Sequence, residues 1–305
     1  MDNRQRKVLV IAGPTAAGKT AVSLALAAQY PIEIVCADSR QIYRGMDIGT
    51  AKPTQTEQNA VRHHCVNICE PGEVFNAWDY AVVARECIHG MSADVLPVVV
   101  GGSGLYIKAA FDGLSPAPPS IPEIRAALER EFQENGIDIL YAELMESDPI
   151  AAARYADKNP RRVMRALEVL RATGRALSLS WQEKHDAPAF TVTYTAITHP
   201  AHKLKERINE RCRTMWISGL LRETETLLQR GISPHDQCMQ TVGYKEAVAY
   251  LNNTYTEDEA LNRMMISTWQ YAKRQLTWFR KDTRYEWFEG DTEEVVHSMK
   301  KRFVI

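Results

Sequence analysis

Apolar residues along this chain gather first into short unbroken runs and later into stripes of helical period. "KVLVIAG" (residues 7–13) is continuous and ends in glycine, as a parallel strand buried on both faces does. "TAVSLALAAQY" (20–30) has helical composition, "IEIVCADSRQIY" (32–43) starts as a second strand and turns polar, and "VLPVVVGGSGLY" (95–106) is a third run ending in glycines. Strands alternating with helical segments predict a doubly wound parallel sheet. "GLSPAPPSIP" (113–122) breaks the pattern with four prolines. A helix is predicted next, with Ser120 as N-cap and Glu123 completing a capping box. The pattern stays helical to about 190, through "EIRAALEREFQENG", "LYAELMESDPIAAARYA" and "RRVMRALEVLRATG". "AFTVTYTAITH" (189–199) alternates and is rich in β-branched residues, so it predicts a strand returning to the sheet. Two long helices follow, over about 202–230 and 257–281, the second opened by a Thr256/Glu259 capping box. The predicted fold class is α/β, a P-loop NTPase-like parallel sheet core with an inserted all-helical domain and C-terminal helices. Its parts are residues 1–114 (core), 115–190 (helical insert) and 191–305 (core and basic C-terminal helices).

The first strand opens onto Gly13-Pro14-Thr15-Ala16-Ala17-Gly18-Lys19-Thr20, which fits G-x-x-x-x-G-K-[ST]. The glycines permit a turn whose N–H groups converge on phosphate oxygens. Lys19 adds a charge, Thr20 offers a hydroxyl to Mg²⁺, and the helix N-terminus adds its dipole. The motif serves kinases, ATPases and GTPases, and also enzymes that only hold a diphosphate while another group is transferred. Hydrolases of this fold hold Mg²⁺ with an acid at the end of a second strand. Here the most apolar strand ends in Gly101-Gly102-Ser103-Gly104, and the acid is Asp38, after "IEIVCA". All three strand ends belong around one crevice beyond the carboxyl edge of the sheet. A lone carboxylate beside a diphosphate suits a general base, and it equally fits a solvated strand-end acid.

Composition narrows the partners. The 305 residues are 45% hydrophobic and 25% charged with a formal net charge of -1, so any nucleic-acid site is a local patch. No stretch approaches the roughly 18 apolar residues of a membrane span. The N-terminal apolar run is too short for a signal peptide, and six cysteines without C-x-x-C spacing fit reduced thiols in the cytosol. His63, His64, Cys65 and Cys69 match no zinc spacing and are taken as loop and core residues. "QYAKRQLTWFRKDTR" (270–284) carries Lys273, Arg274, Arg280, Lys281 and Arg284 with Tyr271, Trp278 and Phe279 interleaved. Cations for phosphates and aromatics for splayed bases suit single-stranded RNA, while Leu276 and Phe279 inward with a solvated cationic face suits an amphipathic helix. Arg161, Arg162 and Arg165 cluster in the same manner. Arg207 and Arg211 share a helix face beside the apolar stripe of Leu204, Ile208 and Met215 and suit a diphosphate clamp; alternation with Glu206 and Glu210 also fits surface pairing.

"GPTAAGKT", "ADSRQIYRGMDIGTAKP", "VVVGGSGLYIKA", "RRVMRALEV", "TVGYKE" and "KRQLTWFRK" come in this order, and over residues 8–282 the chain resembles the tRNA dimethylallyltransferases. The resemblance implies transfer of a dimethylallyl group from dimethylallyl diphosphate to N6 of the adenosine 3′-adjacent to the anticodon, with Mg²⁺ and without consumption of ATP. It implies that Asp38 takes the N6 proton and that Lys19, Thr20, Ser103 and Arg211 hold the leaving diphosphate. It implies an RNA path along Asp38, Ser39, Arg40, Gln41, Arg125, Arg161, Arg162, Val163, Met164, Arg165, Gln240, Gly243, Tyr244, Lys245, Lys273, Arg274, Gln275, Trp278 and Arg280, with residues 115–190 as a tRNA-binding domain. Ala17 stands where the family commonly has serine and Ser103 where it has threonine; activity is expected to survive both. The absence of a zinc-finger extension fits the bacterial type, and a monomer away from membranes is expected. Two other classes compete: an adenylate isopentenyltransferase using free AMP, ADP or ATP, for which the helical insert and basic helix have no use, and a P-loop small-molecule kinase, for which no adenine site is evident. A pure RNA-binding module leaves Lys19 and Asp38 without a purpose.

Overall fold

The computed structural model describes residues 5–114, 118, 120–181 and 190–303. The chain divides into two compact units, Met1–Phe111 with Pro188–Ile305, and Asp112–Ala187.

In the first unit the elements run β1 (Arg6–Ala12), α1 (Lys19–Ala27), β2 (Ile32–Cys36), α2 (Gln55–Ala60), β3 (His63–His64), α3 (Ala77–Gly90), β4 (Leu96–Gly101) and α4 (Gly104–Asp112). The strands form a six-stranded sheet of order β3-β2-β4-β1-β5-β6, in which β5 is Phe190–Thr198 and β6 is Glu286–Glu289. Every pairing is parallel, with Leu9 opposite Val98 and Val10 opposite Tyr194. The apolar runs at β1 and β4 take the centre because helices cover both their faces. Leu9, Ile11, Val98 and Val100 pack with Val22 and Leu26 of α1 and with Val295, Val296 and Met299. Central β1 thus carries its loop to the carboxyl edge between the ends of β4 and β5.

In the second unit α5 (Pro122–Ser147), α6 (Pro149–Arg154), α7 (Pro160–Thr173) and α8 (Leu177–Ser180) follow one another. Leu128, Leu140, Leu144, Val163, Leu167 and Leu177 share its core. Buried Asp148 caps α6 through Ala151 N at 3.0 Å and accepts from Ser178 N at 2.9 Å. Ser120 is not an N-cap. Ile121 takes that place and Pro122 opens the helix, while the Ser120 hydroxyl donates to Glu168. Of the proline-rich stretch, residues 115–117 and 119 lie outside the described residues. α5 turns at Gly136, where the predicted stretch "EIRAALEREFQENG" ends, and its φ of 76° is open to glycine.

The first unit resumes after β5 with α9 (Ala201–Met215), a π-helical turn (Trp216–Leu220), α10 (Leu221–Gln229), α11 (Tyr244–Leu251), α12 (Glu257–Arg280) and α13 (Thr292–Phe303). The predicted helix over 202–230 is therefore broken, because Gly219 at φ 111° interrupts it. The Thr256/Glu259 capping box of α12 forms as anticipated. β3 and β6, two and four residues long at the sheet edges, carry too little pattern to be read.

Candidate active site

The phosphate loop joins β1 to α1. Gly13 holds φ 140°, and a Cβ there would stand 2.3 Å from Ile197 O, so only glycine fits. Ala16 sits in the left-handed region at φ 63° and Gly18 at 93°. A left-handed alanine costs about 1 kcal/mol, and Arg207 Nε steadies the turn by donating to Ala16 O at 2.8 Å. Lys19 Nζ lies across the loop mouth, donating to Pro14 O at 2.7 Å and Gly13 O at 3.1 Å. Thr20 stands in the first turn of α1.

Asp38 lies two residues past β2, half-buried, its Oδ1 accepting from Arg40 N at 2.9 Å. The β4 turn is stitched to it: Ser39 N donates to Ser103 Oγ at 2.9 Å, and Ser103 N to Ala37 O at 3.0 Å. Gly101 permits this approach, since a Cβ would stand 2.0 Å from Ala37 O. The charges of the crevice are visible in their effects on one another. Burial, then Arg211, draws the Lys19 ammonium down to about 8, and Asp38 opposes the shift. Burial also lowers Arg211, again against Asp38. One carboxylate and two cations therefore converge where β1, β2 and α9 meet. The Tyr271 hydroxyl shares a hydrogen bond with the Ser103 side chain, and burial followed by Asp38 pushes its pKa up.

α12 serves this site from behind. Gln275 is 6% exposed; its Oε1 accepts from Thr15 N at 2.8 Å and its Nε2 donates to Gly102 O at 3.0 Å. A Cβ on Gly102 would stand 2.1 Å from that nitrogen, and one on Gly104 would stand 2.0 Å from Trp278 Nε1. The expected RNA contact at Gln275 is thus corrected: its amide is spent joining the two loops. Lys273, Arg274, Trp278 and Arg280 do stand exposed on the other faces of the helix, while Phe279 is buried.

The stretch from Asp38 to Lys52 is held by distant residues. Glu223 of α10 accepts from Asp47 N at 2.9 Å, Ile48 N at 2.8 Å, Gly49 N at 3.1 Å and the Tyr244 hydroxyl at 2.6 Å. Buried Lys52 donates to Tyr43 O at 2.6 Å and to Asn67 Oδ1 at 2.6 Å. Gln41 donates to Thr50 O at 3.1 Å and Ala51 O at 3.0 Å and accepts from the Cys36 thiol at 3.1 Å. Glu223 gave no sequence signal, because three of its four partners are backbone N–H groups some 174 to 176 residues away.

Several residues assigned to the RNA path are interior. Tyr244 is fully buried against Gly49, and Gly243, at φ 101°, packs beneath Met264. Val163 and Met164 belong to the core of the helical unit, which corrects their assignment as RNA contacts. Arg165 pairs with buried Glu168 at 2.8 Å and donates to Pro118 O, tying α7 to the start of the unit. Arg125 pairs with exposed Glu129 on its own helix at 2.9 Å, Arg162 lies 3.6 Å from Asp157, and Arg161 is exposed. Gln240 and Lys245 are exposed, Gln240 donating to Pro234 O at 2.7 Å. Ser39 and Arg40 line the crevice half-buried, and Arg40 reaches Gln237 O at 3.2 Å.

The family model for IPP transferase matches residues 41–282, and that for isopentenyl transferase matches residues 6–70. The chain is 45% identical over 276 residues to a tRNA dimethylallyltransferase of Roseiflexus castenholzii, covering 90% of each chain. It is 42% identical over 294 residues to that of Syntrophobacter fumaroxidans, covering 95% of this chain and 85% of the relative. Among solved structures it is similar to the tRNA isopentenylpyrophosphate transferase of Bacillus halodurans, with 34% identity, TM-score 0.72 and coverage of 98% and 96%. It is similar also to a eukaryotic dimethylallyltransferase acting on tRNA, with 25% identity, TM-score 0.81 and coverage of 98% of this chain and 78% of that one. No helix among the described residues is long and apolar enough to cross a membrane.

Proposed function

Since the chain belongs to the IPP transferase family, its activity is the transfer of a dimethylallyl group to tRNA, and we propose that the crevice at the carboxyl edge performs it as follows. The observation that carries this reading is the phosphate loop with Lys19 across its mouth, joined through Gln275 to the glycine turn whose Ser103 holds the Asp38 loop. Dimethylallyl diphosphate lies with its diphosphate on the N–H groups of residues 13–20. Lys19, Arg207, Arg211 and the Ser103 hydroxyl take up charge as the carbon–oxygen bond breaks. Lys19 and Arg207 are held beforehand by Pro14 O and Ala16 O, and the Ser103 hydroxyl by Ser39 N, so little reorganisation accompanies the step. N6 of the adenosine 3′-adjacent to the anticodon bonds to C1 of the allyl group, its proton passes to Asp38, and diphosphate departs. Atoms and charge balance without ATP.

Magnesium fits this donor set. Among the described residues no three His, Cys, Asp or Glu side chains are grouped to hold a metal alone. Mg²⁺ needs only one or two protein oxygens when substrate phosphates supply the rest, and the Thr20 hydroxyl stands beside Lys19 for that purpose. When bound, the ion neutralises the leaving diphosphate. The target base must leave its stack to reach Asp38. Exposed Lys273, Arg274, Trp278 and Arg280, with half-buried Arg40, give phosphate and stacking partners on the α/β unit; Gln240 and Lys245 extend them. Arg125, Arg161 and Arg162 serve the helical unit in the same capacity. We propose further that the enzyme works as a monomer in the cytoplasm, where a tRNA substrate is met.

The test is a transfer assay with labelled dimethylallyl diphosphate and Mg²⁺, offering unmodified tRNA or free AMP. Label on tRNA alone is the expected result. Label on AMP moves the enzyme to the nucleotide-prenylating class, and label on neither overturns the proposal.

A further inference from the structure

Outside the crevice, α11 and α12 border a groove of about 590 Å³, a size at which pockets take up small organic groups. Arg263, Ser267 and Gln270 of α12 line it, together with Lys245 of α11 and Tyr255 of the connection between the two helices. Arg263, Ser267, Gln270 and Arg274 follow one another at spacings of four, three and four residues, so they share one face of α12. The groove therefore runs on along the helix into the exposed cations Lys273 and Arg274. It is separate from the reacting centre. Gln275 marks the crevice end of α12, and Arg263 comes twelve residues before it, about 18 Å along the helix axis.

The lining holds unspent binding groups. The Arg263 guanidinium lies over the Tyr255 ring, 4.2 Å from its centre, and has no carboxylate partner among the described residues. The two acids of the groove are occupied by their own helices. Glu259 accepts from Thr256 N at 2.9 Å and from the Thr256 hydroxyl at 3.1 Å, and Glu246, 4% exposed, accepts from Gly243 N at 2.8 Å. The side chains of Asn262, Ser267 and Gln270 make no hydrogen bond among the described residues. Each of the two carboxamides offers two donors and an acceptor to whatever enters. A guanidinium plane seated on a ring stacks a nucleobase, carboxamides pair with a base edge, and an exposed lysine meets a phosphate. The set as a whole is suited to a nucleotide.

We propose that the groove between α11 and α12 binds a second splayed nucleotide of the tRNA, apart from the adenosine that enters the crevice. Its base stacks on Arg263 above Tyr255, Asn262 and Gln270 pair with the base edge, and Lys245 takes the adjoining phosphate. A stacked strand advances about 3.4 Å per nucleotide, so about 18 Å of helix spans on the order of five nucleotides. The groove thus reads a position several nucleotides from the target, and it contributes to which tRNA is held rather than to bond breaking. A tRNA is the occupant favoured over a free nucleotide because the same helix face continues into Lys273 and Arg274, cations for which a lone nucleotide has no use. This inference rests on the tRNA-prenylating reading given above.

The experiment measures the affinity of the full-length chain for unmodified tRNA in the wild type, in Arg263→Ala and in the double variant Asn262→Ala with Gln270→Ala. Pyrophosphate affinity is followed alongside as a check on the crevice. Arg263→Ala should weaken tRNA binding about tenfold, as loss of one stacking partner does, and the double variant should weaken it several-fold. Pyrophosphate affinity should stay as in the wild type. In single-turnover transfer both should raise the tRNA concentration that gives half the maximal rate and keep the maximal rate. Ultraviolet cross-linking of the wild-type complex followed by peptide mapping should place a nucleotide adduct on Tyr255. Unchanged tRNA affinity in both variants overturns the inference, and so do adducts confined to residues 273–280. Binding of AMP that both variants lose while tRNA affinity holds would assign the groove to a free nucleotide and overturns it equally. A wild type that does not bind tRNA fails the proposed function itself, whereas a wild type that prenylates tRNA beside variants that bind it equally well fails this inference alone.

Discussion

The phosphate loop (13–20) and the Asp38 loop (38–52) border the same crevice and are built differently. The first is shaped mainly by its own backbone: Gly13 and Gly18 take the left-handed turns, and α1 begins at once behind them. The second is closed on itself by Gln41, Thr50 and Lys52 and is also hung from Glu223, Asn67 and Ser103. The difference teaches where each is vulnerable. The phosphate loop fails chiefly by changes within it, whereas the Asp38 loop is open also to the loss of Glu223, far along the chain.

The largest effect falls on chemistry rather than shape. Asp38→Ala should lower single-turnover transfer by about 10²–10⁴-fold while tRNA affinity stays within a few-fold. A wild-type rate would remove Asp38 as the base. Lys19→Met should cost about 10²-fold or more, as loss of a preorganised charge partner does. It carries a pH signature as well. Burial lowers the Lys19 ammonium to about 8, so the charge is present below that pH and lost above it. Titration calorimetry with pyrophosphate should show affinity weakening as pH rises through 8, and Lys19→Met should lose that step.

Glu223→Ala then tests the hung loop. Three backbone N–H groups and the Tyr244 hydroxyl lose their acceptor, which should destabilise the α/β unit by about 2–4 kcal/mol in urea unfolding and lower kcat with it. An unchanged midpoint would mean the Asp38 loop holds itself, and the contrast with the phosphate loop would collapse. Gln275→Leu is milder. It leaves Thr15 N and Gly102 O without a partner, at about 1–3 kcal/mol, and should raise KM for dimethylallyl diphosphate with tRNA affinity unchanged. Weakened tRNA binding instead would return Gln275 to the RNA surface. Smallest is Arg274→Ala, outside both loops. The slope of log affinity against log salt for tRNA should fall by about one, and an identical slope would make the α12 face ordinary solvated charge.

Residues 13–20 were legible because their spacing is a local instruction, with strand, glycine turn and helix written consecutively. The Thr256/Glu259 cap was legible for the same reason. Ser120 misled because a polar residue before a proline-started helix reads as a cap, and a buried glutamate 48 residues on took its hydroxyl instead. Val163, Met164, Gln275 and Tyr244 were assigned to an RNA path through the resemblance of whole segments. A segment match does not say which side of a helix faces outward, and these four face in.

By itself the sequence determined a parallel α/β core, a phosphate cradle and an acid at the carboxyl edge, because apolar period and glycine spacing act over a few residues. Tertiary structure decided the rest. It put Arg211 beside Lys19 and Asp38, set Gln275 between two loops, and hung residues 47–49 on Glu223. Those arrangements depend on partners brought together from far along the chain, and hydrogen bonds across such separations leave no periodic trace in the order of residues.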